Sequence, residues 1–255
     1  RVVREKVSLE FKGGHYGFTR GAEDGKLCDL WLFDDLVVPT GLLHAAVGYP
    51  DEEQINIPAI YEDFRPGTYD KTARLEDMTA NHVEAAINYP NVFPRFAGQG
   101  FAERDDKDFA LLCLQIYNDW MIEEWCGESG GHLIPLCIVP LWDADLAAEE
   151  VRRNAARGCH AVCFSEIPPH LGLPSIHSGF WDPFFQACQD TQTTVNMHIG
   201  SSSRMPATSP DAPVAVAAAG GPAAAADRFV VTERAVAEEQ VVHRPLACGG
   251  QSQGA

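Results

Sequence analysis

The chain has 255 residues, 45% of them hydrophobic and 22% charged, which fits one large α/β domain or two small ones. Its formal net charge of −17 argues against nucleic acid and an anionic membrane as partners, and the simpler interpretation is a solvated acidic surface that aids solubility. The sequence has no apolar run of about 18 residues and no basic-then-apolar leader, so it predicts neither a membrane span nor a signal peptide.

Eight cysteines are scattered along the chain without a C-x-x-C pair. Several lie in apolar periodic segments, which is typical of reduced, buried thiols in a cytoplasmic protein. Cys159 and Cys163 are four residues apart, but the surrounding sequence has no zinc-finger pattern. We therefore do not expect a structural zinc site there.

The first third of the chain does not show a regular alternation of strands and helices. Arg1–Phe18 is polar and mixed, with Gly13-Gly14 as a turn. Leu30–Val38 is aromatic and β-branched and reads as one strand before Pro39. Asp70–Ala80 is predicted to be a short helix, and His82–Asn88 a strand.

A regular alternation follows. Helical spacing and capping residues predict helices over Asp105–Trp125, Asp143–Arg157 and Trp181–Asp190. Apolar runs predict strands over His132–Leu141, His160–Ser165 and Thr194–Ile199. With the strand His82–Asn88, four strands are joined by three helices, which implies a parallel sheet. A (β/α)8 barrel and an open doubly wound sheet both fit this order.

A nucleotide-binding or flavodoxin-like module is the weaker alternative, because no G-x-G-x-x-G or G-x-x-x-x-G-K-[ST] motif follows a strand. Polar residues instead collect at the carboxyl ends of the predicted strands, where α/β proteins build their sites.

The end of the chain has a different composition. Residues 212–226 contain only Ala, Pro, Val and Gly. Asp227–Ala255 reads as low complexity with one short helix around Thr232–Val242. This segment does not read as four further βα units.

His198 is the sharpest candidate for chemistry, because it ends the predicted strand Thr194–Ile199 and precedes Gly200 and three serines. A neutral imidazole is the commonest metal ligand, and a strand end holds it rigidly. The alternative is a histidine that is hydrogen-bonded to a neighbouring loop.

Glu166 directly follows the strand His160–Ser165 and is a candidate metal ligand, ligand-orienting group or general base. The alternative is a cap of a loop or helix. His170 and His177 lie in the loop beyond it and are candidate proton donors or substrate contacts over the strand ends, unless they are surface histidines.

Asn88 and Arg95 lie at the end of the strand His82–Asn88 and in the loop that follows, where they could bind a substrate carboxylate. A structural salt bridge is an equally good interpretation of Arg95. The sequence contains no H-x-H or H-E-x-x-H motif that would complete a metal site.

Five segments of the chain together resemble the amidohydrolase-related family. They are V-E-A-A-I-N-Y-P-N (83–91), L-I-P-L-C-I-V-P-L-W-D (133–143), G-C-H-A-V-C-F-S-E (158–166), L-P-S-I-H-S-G-F-W-D-P-F (173–184) and N-M-H-I-G-S-S-S (196–203). The resemblance runs from about Leu27 to Pro213 and implies a TIM (β/α)8 barrel. It also implies metal-dependent hydrolysis or non-oxidative decarboxylation, similar to that of aminocarboxymuconate-semialdehyde decarboxylase.

The resemblance further implies a divalent metal, with zinc expected, a small carboxylated organic substrate and a possible homodimer. The metal ligands of the family are an H-x-H or E-x-H after the first strand, a His after the fifth and an Asp after the eighth. A further histidine of the family, a proton carrier after the sixth strand, has no match in this sequence. His198 matches the fifth-strand ligand. The first-strand motif would lie upstream of Arg1, and the eighth-strand Asp beyond Pro213.

We therefore expect residues 1–213 to be a partial barrel domain containing strands two to five. Residues 214–255 are expected to be an Ala/Gly-rich tail, disordered or frame-shifted, with the change of frame near Ala212–Val216. The rival interpretation of the whole chain is a non-catalytic, truncated fragment without most of the metal ligands.

Overall fold

The computed structural model describes residues 1–12, 15–46, 48–50, 57–91, 94–198 and 241–243. The described part of the chain is a mixed α/β structure that begins with an antiparallel sheet and continues with parallel strands and helices. No described helix combines the length and the apolar composition that crossing a bilayer demands.

The amino-terminal residues form a four-stranded antiparallel sheet with the order β2-β1-β3-β4. Its strands are β1 (Val2–Lys12), β2 (His15–Arg20), β3 (Lys26–Phe33) and β4 (Leu36–Pro39). The polar, mixed composition of Arg1–Phe18 predicted no strand there, but Val3 and Val7 pack with Leu30 in one apolar cluster of this sheet. The Gly13-Gly14 turn lies outside the described residues.

The single strand predicted over Leu30–Val38 is also corrected, because it is two antiparallel strands, β3 and β4. Asp34 has φ +53, a left-handed conformation that reverses the chain between them. Phe33, at the end of β3, packs edge to face on Phe101 with ring centroids 5.6 Å apart, and this contact ties the sheet to the helical part of the fold.

Four parallel strands with intervening helices make up the remainder, as the sequence predicts. The strands are β5 (Val83–Asn88), β6 (Leu133–Pro135), β7 (Ala161–Ser165) and β8 (Thr194–His198). The helices are α1 (Lys71–Ala80), α2 (Gln99–Ala102), α3 (Lys107–Trp120), which continues into a π turn at Met121–Trp125, α4 (Ala144–Ala155) and α5 (Asp182–Asp190).

The strands lie side by side in chain order. β5 pairs with β6, a parallel bridge from Cys137 to Val162 joins the segment after β6 to β7, and β7 pairs with β8. Right-handed crossovers between strands in sequential order place every connecting helix on one face. The described strands therefore lack the reversal of order that creates the binding crevice of a doubly wound sheet.

The segment predicted as one strand over His132–Leu141 leaves the sheet early. Pro135 and Pro140 have no N–H to donate to a ladder. Both backbone groups of Ile138 are instead hydrogen-bonded by the side chain of Asn118 in α3. This buried segment lies in the main core, which contains Leu114, Val162, Phe164, Trp181 and Phe184.

Most of the carboxyl-terminal tail falls outside the described residues, including 212–226. The helix expected around Thr232–Val242 is wrong at its end, since Val241–His243 is a short strand, β9, that pairs antiparallel with β5. Residues 232–240 of that expectation lie outside the described ranges.

Candidate functional site

His198 ends β8 and is buried, with 9% of its surface exposed. In the parallel pairing of β7 with β8, its register partner is Ser165, the last residue of β7. Register partners project from the same face of a sheet, so both side chains lie on one face at the carboxyl ends of the strands. This is the edge at which the sequence places the site.

Two aromatic rings hold the imidazole of His198. Phe96 stacks on it with centroids 4.1 Å apart and planes inclined by 12°. Tyr89 meets it edge to face at 5.0 Å and 72°. Arg95, directly before Phe96, has φ +56, a left-handed conformation that is rare for a bulky residue. Strain of this kind persists where surrounding contacts hold it, and here it accompanies the stack.

The contact between Tyr89 and His198 shows that the parallel sheet is curved. Tyr89 follows β5 and His198 ends β8, with β6 and β7 between them. Strands β5 and β8 of a flat sheet would be about 14 Å apart. A ring-centroid distance of 5.0 Å therefore requires the carboxyl ends of β5 and β8 to bend towards each other.

Ser165 is completely buried, yet its hydroxyl oxygen has no hydrogen-bond partner among the described residues. A buried hydroxyl without a partner is costly and uncommon. Its position opposite His198 makes it a polar group available to a ligand at this edge. Burial and the nearby Cys163 raise the pKa of Tyr89, so that phenol keeps its proton and stays a hydrogen-bond donor at neutral pH.

Asn88 does not project towards His198. Its Nδ2 donates to the carbonyl oxygens of Ala86 (3.1 Å) and Ile134 (3.3 Å), and its Oδ1 accepts from Trp125 Nε1 at 3.1 Å. It therefore lies on the helix-facing side of β5 and fastens the π turn to the sheet. The next residue, Tyr89, has the opposite parity and reaches the site instead.

Arg95 and Glu166 both lie near the edge that carries His198. The Nη1 of Arg95 forms an ion pair with Glu103 at 2.6 Å, as the salt-bridge interpretation of this residue expects. Glu166 follows β7 directly and is half-buried. Its position next to Ser165 keeps it a candidate for the site.

His170 and His177 are both exposed. His170 lies in a 3-10 turn, Pro168–Leu171, and His177 in the loop after it. The described contacts do not bring either imidazole to His198, so their roles stay predictions.

Sequence reasoning missed the two rings around His198. The alternation of side chains along β5 is a signal for Tyr89, because it places Ile87 and Tyr89 on the face opposite Ala86 and Asn88. Phe96 carries no local signal, since it lies in an irregular loop that only the tertiary fold brings to β8.

Within the described ranges, no cluster of three or more His, Cys, Asp or Glu side chains has the geometry to hold a metal ion. His198 is the one residue at this edge that the family resemblance assigns as a metal ligand. A catalytic zinc site uses about three protein ligands, so the described residues do not form a metal site by themselves.

Each individual protein that resembles this chain matches only part of it. The chain is 34% identical over 112 residues to UDP-N-acetylmuramate–L-alanine ligase of Xylella fastidiosa strain 9a5c. The aligned segment covers 42% of this chain and 22% of the ligase. The same enzyme from strain M23 matches equally. The chain thus spans about a fifth of these curated relatives.

A crystal structure of 5-carboxyvanillate decarboxylase from Novosphingobium aromaticivorans, which contains manganese and 3-methoxy-4-hydroxy-5-nitrobenzoic acid, is similar over 58% of this chain and 38% of that one. The sequence identity is 23% and the TM-score is 0.42. At the level of families, the sequence model of the amidohydrolase family matches residues 43–238, more than half of the chain. The chain therefore belongs to the amidohydrolase family.

Proposed function

We propose that this chain carries part of the active site of a metal-dependent enzyme that hydrolyses or non-oxidatively decarboxylates a small carboxylated organic substrate. Membership of the amidohydrolase family supports the reaction class. The choice of a carboxylated substrate rests on the resemblance of the five sequence segments. The observation that carries the proposal is the buried His198, which contacts two aromatic rings and lies beside the Ser165 hydroxyl, a group without a hydrogen-bond partner among the described residues.

The proposed parent fold is a (β/α)8 barrel, of which β5 to β8 would be strands two to five. Two features support it: the sequential strand order and the curvature that the contact between Tyr89 and His198 requires. In such barrels, active sites form at the carboxyl ends of the strands, which is where His198 and Ser165 lie.

We assign a role to each residue at this edge. His198 would ligate a divalent metal, for which zinc is our first choice, and a bound metal would supply Lewis acidity. The remaining ligands would have to come from residues outside the described ranges. The Ser165 hydroxyl would donate a hydrogen bond to a substrate oxygen, and Tyr89 and Phe96 would fix the imidazole and exclude water.

The carboxylate of Glu166 is assigned to orienting the substrate or accepting a proton, beside the Ser165 hydroxyl. His170 and His177 remain candidates for proton transfer from the loop above the strand ends. Arg95 remains a candidate for a substrate carboxylate, which would compete with Glu103 for its guanidinium group. Asn88 is not proposed for the site, because its carboxamide is bonded on the other side of β5.

The direct test is turnover. The chain, supplied separately with Zn²⁺ and Mn²⁺, would be incubated with a panel of hydroxybenzoic acids and with amide and lactone substrates, while release of CO₂ and of acid is followed. We expect turnover of at least one substrate, lost in the presence of a chelator and in the variant His198→Ala. A chain that turns over nothing would favour the non-catalytic alternative.

A further inference from the structure

A pair of buried cysteines lies away from the proposed site. The Sγ atoms of Cys137 and Cys159 are 3.3 Å apart, and both residues are at most 2% exposed. Cys137 follows β6 and Cys159 precedes β7, so the pair lies towards the amino end of β7. His198 and Ser165 lie at the carboxyl ends of their strands.

We propose that Cys137 and Cys159 are a modification site, at which the two thiols form a reversible disulfide when the protein meets a peroxide or a disulfide oxidant. A disulfide has a sulfur–sulfur bond of about 2.05 Å, so the two sulfurs need to approach by little more than 1 Å. Rotation about the two Cα–Cβ bonds and a slight backbone shift supply a movement of that size.

The backbone holds the two residues together. The N–H of Cys137 donates to the carbonyl of Ala161, and the N–H of Cys163 donates to the carbonyl of Cys137. This ladder fixes the segment after β6 beside the start of β7. The shared hydrogen bond between the sulfurs lowers the pKa of Cys159 and raises that of Cys137, so the first proton to leave the pair comes from Cys159.

Cys159 is buried, but both of its neighbours in the chain are exposed. Gly158, with φ +86, ends the turn after α4 and is exposed, as is His160 on the other side. Because exposed residues flank Cys159 on both sides, local opening of this turn would admit a small oxidant to the sulfur. The other deeply buried thiols differ, since burial raises the pKa of Cys188 to about 11 and also raises that of Cys163.

The oxidation balances with hydrogen peroxide as the oxidant. The Cys159 thiolate attacks one peroxide oxygen, which forms a sulfenic acid and releases hydroxide. The Cys137 sulfur then attacks the sulfenic sulfur, the S–S bond forms, and the hydroxyl group leaves with the Cys137 proton as water. Two sulfurs are oxidised and one peroxide is reduced. The new bond spans α4 and links residues 22 apart in sequence.

The test uses the whole chain, reduced and then exposed to hydrogen peroxide in its native state. Remaining thiols are alkylated under denaturing conditions, and peptides are mapped by mass spectrometry without reduction. We expect one dominant cross-linked peptide, two hydrogen atoms lighter than its two thiol parts, that joins Cys137 to Cys159 and disappears with dithiothreitol. The oxidised protein should unfold at a higher temperature than the reduced protein.

Two comparisons separate this result from unspecific oxidation. Chain unfolded in urea before oxidation should give a mixture of pairings, and Cys188→Ser should give the same native cross-link as the wild type. In Cys137→Ala the cross-link should vanish, and dimedone should trap Cys159 as a sulfenic acid. Native protein whose Cys137 and Cys159 stay alkylatable, or that gives the mixture of the unfolded chain, would overturn the proposal.

Discussion

The ring of Phe96 lies parallel to the imidazole of His198, with centroids 4.1 Å apart, although the two residues are about a hundred positions apart in the chain. Phe96 is itself buried, at 3% exposure. The stack restricts rotation of the imidazole about its own side-chain bonds. A metal ligand gains affinity when it is held in this way, because less rotational freedom is lost on binding.

The variant Phe96→Leu tests this relationship. Leucine keeps most of the apolar volume but removes the ring face, so we expect the affinity for Zn²⁺ to fall about tenfold, measured by isothermal titration calorimetry. Phe109→Leu is the matched control, because Phe109 also stacks on a ring, that of Phe33 at 5.3 Å, in another part of the fold. Equal affinities of Phe96→Leu and the wild type would show that the stack does not position His198.

Ser165→Ala should stabilise the ligand-free protein. The variant removes a buried hydroxyl that has no partner among the described residues, which is expected to raise the free energy of unfolding by about 1 kcal/mol. The measurement is urea unfolding. The same variant should weaken the binding of any substrate that the hydroxyl contacts.

Thr40→Val supplies the contrasting control for Ser165→Ala. The Thr40 hydroxyl donates to the carbonyl of Asp29 at 2.8 Å and is also buried. Its loss should lower the free energy of unfolding by about 1–2 kcal/mol. A Ser165→Ala variant that loses stability as Thr40→Val does would mean that the Ser165 hydroxyl has a structural partner.

Asn118→Ala should be strongly destabilising. Asn118 is fully buried in α3, donates to the carbonyl of Ile138 (2.9 Å) and to Glu150 Oε1 (2.7 Å), and accepts from the N–H of Ile138 (3.0 Å). Its removal leaves buried groups unsatisfied and opens a cavity. We expect a loss of about 3 kcal/mol in urea unfolding.

Gln186→Ala, on the exposed face of α5, is the matched control and should change the free energy of unfolding by less than about 0.5 kcal/mol. A similarly small change in Asn118→Ala would contradict the assignment of Asn118 as the group that holds the segment after β6.

The buried carboxylate of Asp29 should make stability depend on pH. Burial alone would raise its pKa, but hydrogen bonds from Arg4 and the N–H of Tyr61 lower it overall. A lowered pKa in the folded state means that Asp29 stabilises the fold above its unfolded pKa of about 3.9, and that this contribution is lost as pH falls through the folded pKa.

The measurement for Asp29 is the free energy of unfolding of the wild type and of Asp29→Asn as a function of pH. The difference between the two should be constant near neutrality and shrink on acidification below about pH 4. A difference that grows in acid would reverse the predicted sign.

Much of the parallel part of the fold could be predicted from local sequence. Asp143 caps α4 by accepting from two N–H groups, as the sequence predicts. The strands β5, β7 and β8 begin and end within one residue of their predicted bounds where those bounds lie in the described part. Caps and apolar runs are local features, so they can be recognised without the tertiary structure.

What could not be predicted depends on contacts between distant segments. The segment after β6 is apolar enough for a strand, yet only Cys137 continues the pairing with β7, and the side chain of Asn118 takes both backbone hydrogen bonds of Ile138. Asn88 ends a strand as expected. Its side chain, however, projects from the face of β5 that packs on the helices, where it accepts a hydrogen bond from the indole of Trp125. The position of His198 at a strand end could be predicted because it is a local signal, whereas Phe96 reaches this residue only through the fold.

The central claim is that His198 ligates a divalent metal at the carboxyl ends of the parallel strands. The most direct test is the metal content of the purified chain, measured by mass spectrometry after loading with Zn²⁺ or Mn²⁺ and extensive dialysis, for the wild type, His198→Ala and the exposed control His177→Ala. We predict about one ion per chain in the wild type and in His177→Ala, and none in His198→Ala. A wild type without bound metal, or a His198→Ala variant that retains it, would contradict this assignment.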